Sequence, residues 1–150
     1  MARARIHQHV NPLAKYFREI PVAPLDVEGV YKDPELPLHI DLGCGRGSFL
    51  LKMAVERPDW NYLGIEIREP LVIEANNKKR RGKIPNLHYT FCNAPLDLGT
   101  LLSDISSDHL LLVTIQFPDP WFKKRHAKRR MVNERLVKLI HDSLAKDGIV

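Results

Sequence analysis

The hydrophobic pattern of this chain points to an α/β domain with a doubly wound, mainly parallel sheet. Three observations carry that expectation. Short apolar runs of strand length alternate with segments of helical spacing. Glycine, proline and short polar turns separate them. The residues with chemical potential cluster where the apolar runs end, which in such a sheet is the carboxyl edge where ligands bind.

The elements follow in order. Residues 1–35 contain Pro12, Pro21, Pro24 and Pro34 and no sustained period, so an irregular N-terminal arm is expected, with a short helix near residues 12–18. Arg3, Arg5, His7, His9 and Lys15 make this arm basic. It reads either as a disordered leader or as a grip on an anionic partner. Residues 38–42 form the first strand and run into Gly43-Cys44-Gly45-Arg46-Gly47. Residues 48–57 carry Phe49, Leu50, Met53 and Ala54 at helical spacing, and Pro58 ends them. Residues 61–67 give a second strand, and 69–81 a second helix closed by Gly82. Residues 87–91 are a third strand, 96–105 a third helix, and 110–117 a fourth strand. Asn133 is placed to cap a helix over 134–145, which Gly148 ends, and Ile149-Val150 opens a fifth strand. A domain of this class normally continues with another strand and helix. The expectation is therefore a piece of a longer protein, its sheet incomplete after the start of strand five. A natural minimal domain is the alternative.

Composition narrows the partners. The chain has 150 residues, of which 44% are hydrophobic and 27% charged, enough for one domain with a real core. No apolar run approaches the roughly 18 residues needed to span a bilayer. The basic start lacks the apolar stretch of a secretory signal, so a cytoplasmic protein is expected. A net charge of +5 with a pI near 9.3 suits a polyanion. Cys44 and Cys92 form no CxxC pair and read as free thiols. The histidines are scattered, so no metal is expected.

Four motifs sit at strand ends. The first is Asp41-x-Gly43-x-Gly45-x-Gly47, whose glycines allow a tight turn and close backbone approach. Asp41 would repel a pyrophosphate and better suits a cationic or amino-bearing ligand. The second is Glu66, followed by Arg68, at the position where a carboxylate accepts ribose hydroxyls. The third is Asn93-Ala94, a short amide beside a small residue, fit to read an adenine edge. The fourth is residues 117–130. There Asp119 lies between Pro118 and Pro120, Trp121 and Phe122 follow, and six Lys or Arg fall within the eight residues from Lys123 to Arg130. A carboxylate at a sheet edge suits chemistry, and a basic run beside aromatics suits nucleic acid.

Together these motifs resemble the tRNA (guanine-N7)-methyltransferases, across nearly the whole chain. The first motif alone already resembles S-adenosylmethionine-dependent methyltransferases of Rossmann-like class I fold. The resemblance implies an arm over residues 1–35 and a methyltransferase domain over 36–150. Asp41, Gly43, Gly45, Glu66, Arg68, Asn93 and Ala94 match the family's positions for S-adenosyl-L-methionine. Asp119 matches its active-site carboxylate. Lys123 matches a basic substrate contact, with Trp121, Lys124 and Arg125 expected beside it. The family also uses an aspartate and a threonine-rich motif further along, beyond Val150. The implied partner is tRNA, with the enzyme acting as a monomer or homodimer and without metal or membrane.

The chemistry is coherent with those residues. Guanine N7 has an in-plane lone pair and carries no proton, so methylation needs no general base. Alignment and desolvation should dominate. Asp119 would accept hydrogen bonds from guanine N1–H and the exocyclic amine. Trp121 or Phe122 would stack on the base, or both pack on the sheet edge. The run 123–130 would hold phosphates, with His126 one of its polar members. Lys78, Lys79, Arg80, Arg81 and Lys83 form a second basic cluster, which also reads as charge complementing a helix C-terminus. An amino-methyltransferase acting on adenine or cytosine and a non-catalytic tRNA-binding module are the other readings.

Overall fold

The computed structural model describes residues 6–150, so Arg3 and Arg5 of the arm lie outside the described residues. Four strands, β1 (Leu38–Leu42), β2 (Asn61–Glu66), β3 (Leu87–Phe91) and β4 (Leu110–Ile115), form one sheet in the order β3-β2-β1-β4. Every neighbouring pair is parallel. The order reverses between β1 and β4, which makes their carboxyl ends the topological switch point. The start of a fifth strand is present as expected. Ile149 bridges Leu112, with Val113 N–H donating to Ile149 O at 2.9 Å and Ile149 N–H to Leu111 O at 2.9 Å.

The helices are α1 (Lys15–Arg18), α2 (Val27–Val30), α3 (Ser48–Glu56), α4 (Glu69–Gly82), α5 (Ala94–Leu101) and α6 (Glu134–Ser143), and a 3-10 turn spans Lys124–Arg129. One core packs α3 and α4 against the sheet through Leu50, Ala54, Val72 and Ala75, with Tyr62, Leu87 and Tyr89. The other joins Leu98, Leu101, Leu136 and Ile140 of α5 and α6 to Ile40, Leu42, Leu63 and Ile65. Both β1 and β2 are buried along their whole length, as parallel strands covered by helices must be.

Several boundaries differ from expectation, each for a local reason. Helix α4 runs through Gly82, and Lys83 takes the left-handed position at φ 52. Helix α5 starts two residues early, because Pro95 sits in its first turn where its missing N–H costs nothing. It ends at Leu101 rather than 105. Helix α6 is capped by Asn133, whose Oδ1 accepts from Leu136 N–H at 3.0 Å, but it stops at Ser143. Gly148 lies in the next turn, where a Cβ would stand 2.7 Å from Leu144 Cδ2.

Within the segment expected as an irregular arm, Ile20, Leu25 and Tyr31 are buried. Leu25 N–H donates to Leu101 O at 2.9 Å, and Tyr31 Oη donates to Tyr62 O at 3.0 Å. Helix α2 forms there because the Asp26 carboxylate accepts from Gly29 N–H at 3.0 Å. Among the described residues no helix is long and apolar enough to cross a membrane.

Candidate active site

The carboxyl ends of all four strands and the loops after them open into one cavity. Gly43, Glu66, Arg68, Asn93, Ala94, Asp119 and Trp121 line it. Asp41, Gly45, Lys123, Lys124 and Arg125 do not. The cavity wall also includes Gln8, Val10 and Pro12 of the arm and Arg129 and Met131 after the Asp119 loop.

The glycine loop is bent as its sequence requires. Gly43, Gly45 and Gly47 have φ of 76°, 57° and 72°, the left-handed region that side chains disfavour. Gly45 faces open space, with nothing within 4 Å of the point where a Cβ would stand, so a ligand can approach its backbone closely. At Gly47 a Cβ would fall 2.5 Å from the Tyr89 ring. Tyr89 is buried and its hydroxyl donates to Gly47 O, so it props the loop from beneath. Burial pushes its phenol pKa up, which keeps it a donor. No sequence motif points to Tyr89, because an aromatic in a strand reads as core.

Asp41 lies behind this loop. It is 2% exposed, and its Oδ1 accepts from Thr114 Oγ1 at 2.7 Å and Gln116 Nε2 at 3.3 Å. Burial, opposed by these two hydrogen bonds, raises its carboxyl pKa. Thr114 spends its only proton on Asp41. His39 Nε2, 3.0 Å from the same hydroxyl, must therefore carry the proton of that contact. Burial holds His39 neutral, with its pKa lowered to about 4. Alternation along β1 places His39 and Asp41 on one side of the strand, opposite Ile40 and Leu42.

Glu66 is 2% exposed and fully engaged. Its Oε1 accepts from Arg68 N–H at 3.1 Å and Arg68 Nε at 2.9 Å, and its Oε2 from Gly45 N–H at 2.9 Å and Arg68 Nη2 at 3.0 Å. The two-point ion pair, with Asp119 nearby, raises the Arg68 pKa further. Asn93 precedes α5 and is also 2% exposed.

The Pro118–Pro120 loop is set by strained neighbours. Phe117 and Trp121 both have positive φ, 50° and 37°, unusual for bulky residues. Phe117 is 97% exposed and Phe122 85% exposed, so neither packs on the sheet edge. Trp121 is held instead by Arg129, whose guanidinium lies 5.1 Å from the ring centroid, and by His126 edge-on at 5.4 Å. Partial desolvation lowers the His126 pKa, and Arg129, Arg125 and Lys123 lower it further, so these cations crowd one imidazole. Lys123, Lys124 and Arg125 are exposed.

Residues 35–150 match a family whose description is "Putative methyltransferase". A tRNA (guanine-N(7)-)-methyltransferase of Trichormus variabilis is 55% identical over 146 residues, 97% of this chain and 67% of that protein. Its counterpart in Synechocystis sp. is 50% identical over 150 residues, all of this chain and 70% of that protein. The chain belongs to the tRNA (guanine-N7)-methyltransferase family. As a member of that family it spans about two thirds of the length of these relatives. Among solved structures, PKMT2 from Rickettsia typhi in complex with AdoHcy superposes at a TM-score of 0.57, with 19% identity, over 76% of this chain and 20% of that one. Phosphoethanolamine N-methyltransferase 2 of Haemonchus contortus, in complex with S-adenosyl-L-methionine, superposes at 0.58, with 16% identity, over 91% and 26%. These two likenesses establish the fold.

The family's cofactor fits the groups present. The open backbone at Gly45 leaves room for close approach, and Glu66 and Asn93 set a carboxylate and an amide at the cavity wall, the group types that hydroxyls and a ring acceptor would bond in exchange for the partners held here. Among the described residues no cluster of three or more His, Cys, Asp or Glu is arranged to hold a metal ion. Cys44 and Cys92 are both free thiols.

Proposed function

We propose that this chain transfers a methyl group from S-adenosylmethionine to N7 of a guanine in the tRNA variable loop. The observation that carries this reading is the placement of Asp119, between its two prolines, on the same cavity as Glu66, Arg68 and Asn93. The cofactor supplies an electrophilic methyl on a sulfonium. The protein's residues bind, orient and exclude water.

Glu66 would accept the ribose hydroxyls, with Arg68 yielding one face of the carboxylate. Asn93 would donate to an acceptor on the adenine, beside the small Ala94. Gly43 and Gly45 let the backbone come close to the donor. Asp41 acts from behind the loop, held by Thr114 and Gln116, and its field favours a positively charged ligand above it. Asp119 accepts guanine N1–H and the 2-amino group, which turns N7 toward the methyl and offsets the charge developing on the purine. No residue needs to remove a proton from N7. Lys123, Lys124 and Arg125 project from the same loop to meet phosphates, and the exposed Phe122 is placed to stack on a base. Trp121, already flanked by Arg129 and His126, stiffens the loop.

The test is Asp119→Ala assayed with tRNA. Transfer should fall about 100-fold or more, while affinity for the cofactor stays near that of the parent. Near-parental turnover would sink the role of Asp119. Methylated adenine in place of 7-methylguanine would decide for an amino-methyltransferase. Binding of tRNA without binding of cofactor would decide for a non-catalytic module.

A further inference from the structure

The arm ends its hydrogen bonds on the same groups that the proposed function assigns to ligands. His9 Nδ1 lies 2.7 Å from Asp119 Oδ1, and since the carboxylate only accepts, Nδ1 carries the proton. Arg68 Nη1 donates to Gln8 O at 3.0 Å. Asn93 Nδ2 donates to Pro12 O at 3.1 Å and to Phe17 O at 2.9 Å, so both of its amide protons are taken. The chemical types match as well. An imidazole N–H stands where a guanine N–H would, and backbone carbonyls stand where an acceptor on the cofactor would.

Space gives the same answer. The cavity left under the arm is about 110 Å³, whereas pockets for nucleoside-sized ligands run to roughly 300–1,000 Å³. Some part of the wall has to move. Glu66 and Asn93 are buried among strand ends and cannot move cheaply. Gln8, His9 and Asn11 are exposed, and in the described arm the first buried residue is Ile20. The bonds to His9 and Gln8 are solvent-exposed and those from Asn93 are half-buried, and a segment with few buried side chains opens at low cost.

We infer that residues 8–17 are an internal ligand, a strap that fills the site of the free protein and is displaced when cofactor and guanine bind. This rests on the proposed function. Ile20, Leu25 and Tyr31 anchor its far end in the core, so the strap lifts without detaching. The measured affinity of the site is then its intrinsic affinity reduced by the fraction of molecules with the strap open.

The experiment uses the full chain with His9→Ala and His9→Gln, and S-adenosylhomocysteine as the probe in calorimetry. The His9 ring stands edge-on to Trp121 at 6.3 Å, so Trp121 emission reports the strap without turnover. His9→Ala should bind the probe about two- to five-fold more tightly, the range that an exposed pair controls. Without ligand it should already show part of the emission change that the probe induces in the parent. His9→Gln keeps a donor for Asp119 and should behave as the parent. Equal or weaker binding by His9→Ala would overturn the strap and make the arm a fixed wall of the site. Failure of the parent and both variants to bind the probe at all would overturn the proposed function, and the strap with it.

Discussion

Tyr89 supports the glycine loop through two separate contacts. Its hydroxyl holds Gly47 O, and its ring fills the space that a side chain at Gly47 or Gly64 would need. The β2–β3 register pairs Gly64 with Tyr89 directly, which is why that strand glycine is tolerated. Tyr89→Phe should therefore lower stability by about 1 kcal/mol and weaken S-adenosylhomocysteine binding several-fold, as read by denaturant titration and calorimetry. A variant with unchanged affinity would show that the loop holds its shape alone. Thr114 has a comparable part in the chain His39–Thr114–Asp41. Thr114→Val strands a buried imidazole N–H and removes a hydrogen bond to a buried carboxylate, costing about 1–3 kcal/mol, whereas Thr114→Ser should be close to the parent. The glycines and Glu66 were legible in the sequence because their chemistry is tied to one backbone position at a strand end. Tyr89 and Thr114 were not, since each works on a partner that only the sheet register brings near. Asp41 shows the limit most clearly: its place in the motif was legible, but not that strand alternation turns it away from the cavity.

Two basic clusters look alike in the sequence, and the elements that carry them separate their roles. Helix α4 starts at the carboxyl edge of the sheet and runs away from it for 14 residues, about 20 Å at the usual helical rise. Arg80, Arg81 and Lys83 therefore gather at the far edge, where they complement the helix C-terminus. Lys78 is already paired with Glu74 at 3.0 Å, and Arg46 binds the same carboxylate. The other cluster winds into the 3-10 turn Lys124–Arg129 directly after the Asp119 loop. Lys123, Arg125 and Arg129 of this cluster crowd His126. Replacing Lys123, Lys124 and Arg125 by Gln should reduce the slope of log affinity for tRNA against log salt by about 2. The same change at Arg80, Arg81 and Lys83 should alter it by less than half as much. Equal slopes for the two triple variants, in filter binding across a salt series, would show that the reading of sheet edges is wrong. Charge counting saw both clusters, but the edge on which each falls follows from helix direction and length.

At the scale of the molecule, β1 joins the site to the fold. The four strands were legible because buried parallel strands read as continuous apolar runs, and the helices because their apolar faces repeat. The packing of residues 20–31 was not, since three buried side chains in an irregular stretch leave no period. His39 sits near the middle of β1 and touches elements on several sides. It bonds Thr114 of β4, and its ring meets Phe49 of α3 at 5.8 Å and Tyr62 of β2 at 5.6 Å. Charging it strikes all of these at once. Its folded pKa of about 4 lies below the ordinary 6.5, so between those values the unfolded chain binds a proton that the folded one refuses. Stability then rises with pH through that window: the contribution is complete above about 6.5 and is lost as pH falls toward 4. Across the full window it amounts to about 3 kcal/mol. His88, also lowered to about 4 by burial and then by Lys79, adds in the same sense. Asp41 acts in the opposite sense, because its raised pKa makes the folded state hold a proton more readily as pH falls. The contribution of His39 is isolated by comparison with His39→Gln, which keeps a donor for Thr114 and has no charge to gain. Denaturant titrations from about pH 7 to about pH 4, spanning the window between the two states, should show the parent losing stability more steeply than His39→Gln, so that the difference between the two shifts in favour of the variant toward the acid end. Parallel curves would mean that the folded protein charges this imidazole as readily as the unfolded chain does and that its burial in β1 carries no penalty.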